Sequence, residues 1–276
     1  MLYIFLLHYT NISYIKTYTM NKIFFDGKGL YFMNTKKTVI VTGASRGIGK
    51  AIALTFAKHN WNLVILSSKS EMELEETKKE IELLGSKCLT FIGDVGDKKF
   101  APFVIQKTKE QFTTIDCLVN NAGISQIGLL TDCTMEDWDR MLSTNLSSIF
   151  YFSHAVLPHM IHEKSGCILN ISSVWGEVGA SCEVAYSTTK GGMNAFTKAL
   201  AKELAPSNIR VNAISCGAIK TSMNQWLTKE EEEALVEEIP MGRLGQPEEI
   251  ATFAYTLATS PSYLTGQIIR MDGGWI

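Results

Sequence analysis

The 276-residue sequence lacks the marks of several large protein classes. Its six cysteines (88, 117, 133, 167, 182 and 216) form no CxxC pair and lie in no His-rich neighbourhood. That excludes a recognisable zinc site or disulfide frame, and in a chain this long it indicates reduced thiols in a cytoplasmic protein. The five histidines (8, 59, 154, 159 and 162) show neither triad nor ligand spacing, so no metal is expected. A net charge of -2 leaves no basic footprint for nucleic acid. The acidic run Glu230 to Glu233 reads as a solvated helix face. Long apolar runs are also missing: Met1 to Leu7 is far short of the ~20 residues that span a bilayer. That run has no basic n-region and no small-residue cleavage site after it, so neither a signal peptide nor a membrane partner is expected.

With 46% hydrophobic and 20% charged residues, the composition suits a globular chain with a real core. After the apolar Met1 to Leu7, residues 8–33 show no helical or strand period, and internal methionines at Met20 and Met33 precede the regular part. Residues 1–33 are expected to be an irregular, dispensable extension. From residue 34 onward, short β-branched runs alternate with amphipathic stretches, and no Pro/Gly/Ser-rich linker or repeat interrupts them. Strands are expected at 38–41, 63–66, 89–92, 118–120, 168–171, 210–214 and 267–270. Helical patterns lie from about 48 and near 70–84, 97–112, 135–163, 185–205 and 247–258. Strands this apolar are buried on both faces, so 34–276 reads as one α/β domain of Rossmann type: a doubly wound, seven-stranded parallel sheet with helices on both faces.

Gly43-Ala44-Ser45-Arg46-Gly47-Ile48-Gly49 joins the first of these strands to its helix. Glycines there let the backbone turn sharply and let a pyrophosphate approach the helix N-terminus, where free N–H groups and the dipole favour anions. The spacing is GxxxGxG, not the commonest dinucleotide fingerprint. The next strand ends Ser67-Ser68-Lys69 with no carboxylate before Glu71. An acid there would bind the ribose 2′-OH of NAD. Its absence, with Arg46 and Lys69 nearby, points to the 2′-phosphate of NADPH/NADP. Tyr186 and Lys190 share a helix face, a phenol able to give a proton and an ammonium able to stabilise what remains. Ser173 ends an apolar strand, where a hydroxyl points into the ligand crevice and can hydrogen-bond a reacting oxygen.

Together TGASRGIG (42–49), Asp94-Val95, Asn120-Asn121-Ala122-Gly123, Asn145, Ser173, YSTTK (186–190), Thr265-Gly266-Gln267 and Asp272-Gly273-Gly274 resemble the short-chain dehydrogenase/reductase family from 37 to 276. The resemblance implies a catalytic set of Asn145, Ser173, Tyr186 and Lys190, with Asn145 holding a water that relays protons through Lys190. It places Asp94 and Val95 at the adenine, Asn121, Ala122 and Gly123 along the cofactor, and Gly217, Ile219 and Thr221 toward the nicotinamide. It also implies a homotetramer packed through 135–163 and 185–205. Cys216-Gly217 stands where the family usually has Pro-Gly, and a looser loop is expected there.

Within the family, the look of 242–251 (GRLGQPEEIA) is similar to that of 3-oxoacyl-acyl-carrier-protein reductases. A narrower resemblance, to elongation factor P 5-aminopentanone reductases, is carried by Ser172 to Tyr186 and is the preferred expectation. Basic residues to meet acyl-carrier protein are looked for at two places near the pocket mouth; one holds Lys164 and the other reads Pro206-Ser207-Asn208. The serine-to-tyrosine loop carries Glu177 and Glu183, which suit a substrate with an ammonium end. The ketone is thus expected on a protein, elongation factor P or acyl-carrier protein. A dinucleotide-sensing regulator without catalysis is the remote alternative.

Overall fold

Four β-branched and apolar residues, Thr38–Val41, make the fully buried strand β3 in the interior of the sheet. The computed structural model describes residues 22–25, 30–33, 36–224, 227–261 and 263–276, and the chain divides into units 1–36 and 37–276. In the first unit, strands β1 (Lys22–Phe25) and β2 (Leu30–Met33) pair antiparallel. This hairpin falls within the stretch expected to be an irregular extension; the rest of that stretch lies outside the described residues. The hairpin's strands are only four residues each, too short to give a visible period.

The second unit holds β3, β4 (Asn62–Ser67), β5 (Cys88–Ile92), β6 (Cys117–Asn120), β7 (Gly166–Ser173), β8 (Ile209–Cys216) and β9 (Ile268–Met271). They form one seven-stranded sheet, order β5-β4-β3-β6-β7-β8-β9, and every pairing is parallel. Successive residues feed opposite faces, as the strand period of two requires. Val39, Val41, Leu63 and Ile65 pack under α1 (Gly47–Lys58), α2 (Glu71–Leu83) and, from near the chain's end, a helix at Pro247–Thr259. Ile40, Val64 and Leu66 pack under α3 (Phe100–Gln111) and the helices Ser148–Glu163 and Val184–Leu204.

The pattern read as one helix over 135–163 is α4 (Met135–Leu142) and α5 (Ser148–Glu163), joined by a π-helical turn at Ser143–Ser147. After β7 come a short helix, α6 (Trp175–Val178), and α7 (Val184–Leu204). After β8 come α8 (Lys229–Glu238) and α9 (Pro247–Thr259). The order reverses between β3 and β6, so the connections leave in opposite directions and open a crevice at the strands' carboxyl ends. No described helix is long and apolar enough to cross a membrane. No group of metal-ligating side chains occurs among the described residues.

Candidate active site

The carboxyl end of β3 meets that of β6 through one hydroxyl. Thr42 Oγ1 accepts the N–H groups of Asn121 (2.9 Å) and Ala122 (3.0 Å). The Asn121 carboxamide in return donates to the carbonyls of Thr42 and Gly43, both at 2.9 Å. Gly43 is left-handed (φ 65°), and a Cβ on it would come within 2.9 Å of Ala122 Cα. These contacts, which the sequence did not announce, freeze the glycine loop. Gly47 (φ 57°) faces outward, with only the Thr221 side chain near the place of a Cβ. The start of α1 has no side-chain cap and no acid in its first turn. Its free N–H groups and the space over Gly47 fit a pyrophosphate.

Ser67 is buried at the end of β4, and Ser68 and Lys69 are exposed. Arg46 is 3.6 Å from Glu73, in the first turn of α2. The strand end does lack an acid, yet an acid one turn later shares the charge of Arg46. Asp94, at the end of β5, caps the Gly96 N–H, and Val95 is buried beside it. Gly217, Ile219 and Thr221 follow β8; Ile219 bridges to Gly245, and Thr221 reaches back to Gly47.

Ser173, Tyr186 and Lys190 come together at the ends of β7 and β8. The Ser173 hydroxyl lies close enough to the Tyr186 phenol to favour its ionised form. Lys190 Nζ lies 5.5 Å from the Tyr186 ring centroid and donates to the Ile171 carbonyl at 2.7 Å. Burial pushes the Tyr186 phenol well above its ordinary value; the Ser173 hydroxyl opposes the rise, and Cys216 and Glu183 add to it. The expectation that the ammonium of Lys190 lowers the phenol is therefore not met: desolvation is the largest influence and raises it. The phenol keeps its proton at neutral pH. Burial also lowers Lys190 to about 8, the nearby Cys216 acting against the shift.

Cys216 is a buried thiol that burial raises to about 12. It is no loosening point: its carbonyl accepts the Val174 N–H at 3.0 Å, and the Gly217 N–H reaches Met271 O at 2.9 Å. Asn145 sits in the π-turn, fully buried, its carboxamide exchanging two 2.8 Å hydrogen bonds with the backbone of Ile124. Gly123 lies between Asn145 Oδ1 and Lys190 Nζ. An insertion of this kind aims a side chain that a regular helix would turn elsewhere.

Two substrate expectations need correction. Glu177 does not face an open pocket: it accepts from Ser215 Oγ (2.5 Å) and pairs with Arg270 at 2.8 Å. Lys164 and 206–208 lie just before β7 and β8, more than about 20 Å along the strand from Ser173. Those positions are at the opposite end of the sheet from the pocket mouth. Glu183 is near Tyr186, and Ser125 Oγ donates to it at 2.8 Å. Of the histidines, His59 stacks on Tyr255 and His159 accepts the Ile115 N–H, while His8 lies outside the described residues.

A glycine loop at the switch point and a phenol–hydroxyl–ammonium cluster beside it define a dinucleotide-dependent oxidoreductase. The sequence model of the short chain dehydrogenase family matches residues 37–232. YmfI, an uncharacterized oxidoreductase of Bacillus subtilis, is 41% identical over 245 residues, covering 87% of this chain and 98% of that one. The 3-oxoacyl-acyl-carrier-protein reductase FabG of Thermotoga maritima is 40% identical over 241 residues, covering 87% and 98%. Among solved structures, YwfH, an NADPH dependent reductase involved in bacilysin biosynthesis, matches with a TM-score of 0.82 at 30% identity, over 88% of this chain and 99% of that one. The chain belongs to the short-chain dehydrogenase family, whose members use NAD(P)H, and is an oxidoreductase acting on CH–OH and keto groups.

Proposed function

We propose that the protein is an NADPH-dependent ketone reductase in which Tyr186 donates the proton. The observation that carries this reading is the half-buried Tyr186 phenol, kept protonated at neutral pH, with the Ser173 hydroxyl and the Lys190 ammonium beside it. A nicotinamide bound at the crevice supplies the hydride to the keto carbon. Ser173 holds the substrate oxygen and Tyr186 Oη gives it a proton as negative charge develops there. Lys190 supplies positive charge behind the phenol, and Asn145 fixes the 121–125 loop that closes this side of the site. A homotetramer is part of the proposal, supported by the exposed aromatic group of Phe150 and His154 on α5.

For the cofactor, NADPH is preferred because Arg46 and Lys69 flank a strand end without an acid. The Arg46–Glu73 pair is exposed and weak, so a phosphate displaces Glu73 at small cost. Arg46→Ala is expected to lower kcat/KM with NADPH about tenfold while barely changing that with NADH. Equal losses with both cofactors overturn this assignment.

For the substrate, we take an ammonium-ended ketone, the 5-aminopentanone group on elongation factor P, as first choice. Its support is Glu183, a carboxylate beside the proton donor that has no use for a neutral acyl chain. The names of relatives at 37–40% identity favour 3-oxoacyl-acyl-carrier-protein as the second reading. Glu183→Gln is expected to cut kcat/KM for modified elongation factor P roughly tenfold and to leave an acetoacetyl thioester unaffected. Equal effects, or turnover of the thioester alone, leave the acyl-carrier reading as the better one.

A further inference from the structure

Trp175–Val178 is a single helical turn between the strand that ends in Ser173 and the helix that carries Tyr186 and Lys190. It touches both sides of the site. The Trp175 N–H donates to Ser173 Oγ at 3.2 Å. A Cβ on Gly176 would come within 2.6 Å of the Lys190 carbonyl carbon, and the Gly176 carbonyl accepts from Asn194 Nδ2 at 3.1 Å. A displacement of this turn therefore moves the serine hydroxyl relative to the tyrosine–lysine helix.

What holds the turn comes from 93 residues away. Both Glu177 oxygens face the Arg270 guanidinium on the edge strand β9, Nη2 at 2.8 Å and Nε at 3.4 Å. One of them also accepts from Ser215 on β8. Arg270 Nη1 donates to the main-chain oxygen of Ile276. A second tie runs parallel: the Trp175 and Trp275 rings meet edge-on at 4.9 Å, and Trp275 Nε1 donates to Glu238. The fork geometry restricts the turn in two directions, which an apolar contact does not do. Arg270 and Ser215 hold the Glu177 carboxyl below the usual carboxylate range, and the pair is only partly open to solvent.

We propose that Glu177 is a positioning residue for the reduction, clamped by Arg270 and Ser215 so that the Trp175–Val178 turn fixes the Ser173 hydroxyl against Tyr186. This rests on the catalytic reading of Ser173, Tyr186 and Lys190. Glu177 touches neither the substrate nor the cofactor in this scheme, so its effect belongs in kcat and not in cofactor affinity.

The test uses the full chain and compares Glu177→Ala, Glu177→Gln, Arg270→Met and the Glu177→Ala/Arg270→Met double variant, with Tyr186→Phe alongside. Ketone turnover, NADPH affinity by fluorescence and the melting temperature are measured for each. Glu177→Ala and Arg270→Met are each expected to lower kcat about 10- to 100-fold, with NADPH affinity unchanged. Glu177→Gln should recover part of the loss, since an amide oxygen can still accept from Ser215 and Arg270. The double variant should be no worse than the poorer single one, as for two halves of one device. A lowered melting temperature with normal kcat shows a purely structural tie and overturns the proposal, as do losses that multiply. An active Tyr186→Phe enzyme removes the catalytic reading and the clamp with it. An inactive one beside a normal Glu177→Ala enzyme removes the clamp alone.

Discussion

Tyr186→Phe is expected to lower ketone turnover by about 10²- to 10⁴-fold, the range for loss of a general acid. The variant loses one oxygen from a half-buried side chain that packs through its ring, so the fold and the glycine loop should be untouched. NADPH affinity should therefore stay normal, and the loss should appear in kcat. The pH dependence offers an independent check. Because burial keeps the phenol protonated, the tyrosine itself sets no limb near neutrality. Lys190 does: it is an ammonium below about 8 and neutral above it. Reduction should thus fall as pH rises through about 8, where the positive charge behind the nascent phenolate disappears. Near-normal turnover of Tyr186→Phe, measured as NADPH oxidation, refutes the assignment of the proton donor.

How far the site can be read from sequence depends on how locally each part is encoded. The seven strands were legible because each is a short run rich in apolar residues, the inner ones buried on both faces, as Thr38–Val41 and Asn62–Ser67 show, and only the edge strands β5 and β9 partly open. Tyr186 and Lys190 were legible as an i, i+4 pair, and the glycine loop as a strand–helix junction. Of the helix Lys229–Glu238 only the solvated face Glu230 to Glu233 was legible, and its bounds were not, because it buries no residue and shows no apolar stripe. Its Thr228–Glu231 capping box was the signal available. The π-turn at Asn145 has no period to betray it, since one extra residue in a helix leaves the flanking patterns intact. The role of Glu177 was misread for the opposite reason. Its partner Arg270 is remote in sequence, and only the β8–β9 pairing brings that strand to it. Nothing local distinguishes a carboxylate facing a pocket from one facing a sheet edge.

Gly49→Ala is expected to do to the cofactor site what Tyr186→Phe does to the chemistry. Gly49 lies in the first turn of α1, where its hydrogen faces the loop it came from. A Cβ there would overlap the Gly43 carbonyl oxygen and come within 2.5 Å of Asn121 Nδ2. Neither neighbour is free to yield. The Asn121 carboxamide holds the carbonyls of Thr42 and Gly43 at once, and Gly43 itself sits against Ala122 in a left-handed conformation. The methyl group must therefore push α1 outward or break the Asn121 hydrogen bonds, and either change moves the N–H groups proposed to meet the pyrophosphate. Overpacking of this kind costs about 1–3 kcal/mol. If that cost falls on the binding-competent loop, NADPH affinity should drop by roughly 5- to 150-fold. Gly128→Ala is the matched control, because a Cβ there meets nothing within 4 Å. Its NADPH affinity, read by fluorescence titration, should match that of the unaltered protein. Should Gly49→Ala bind NADPH as tightly as Gly128→Ala does, the dinucleotide does not depend on this loop's geometry and the cofactor site must be sought elsewhere along the crevice.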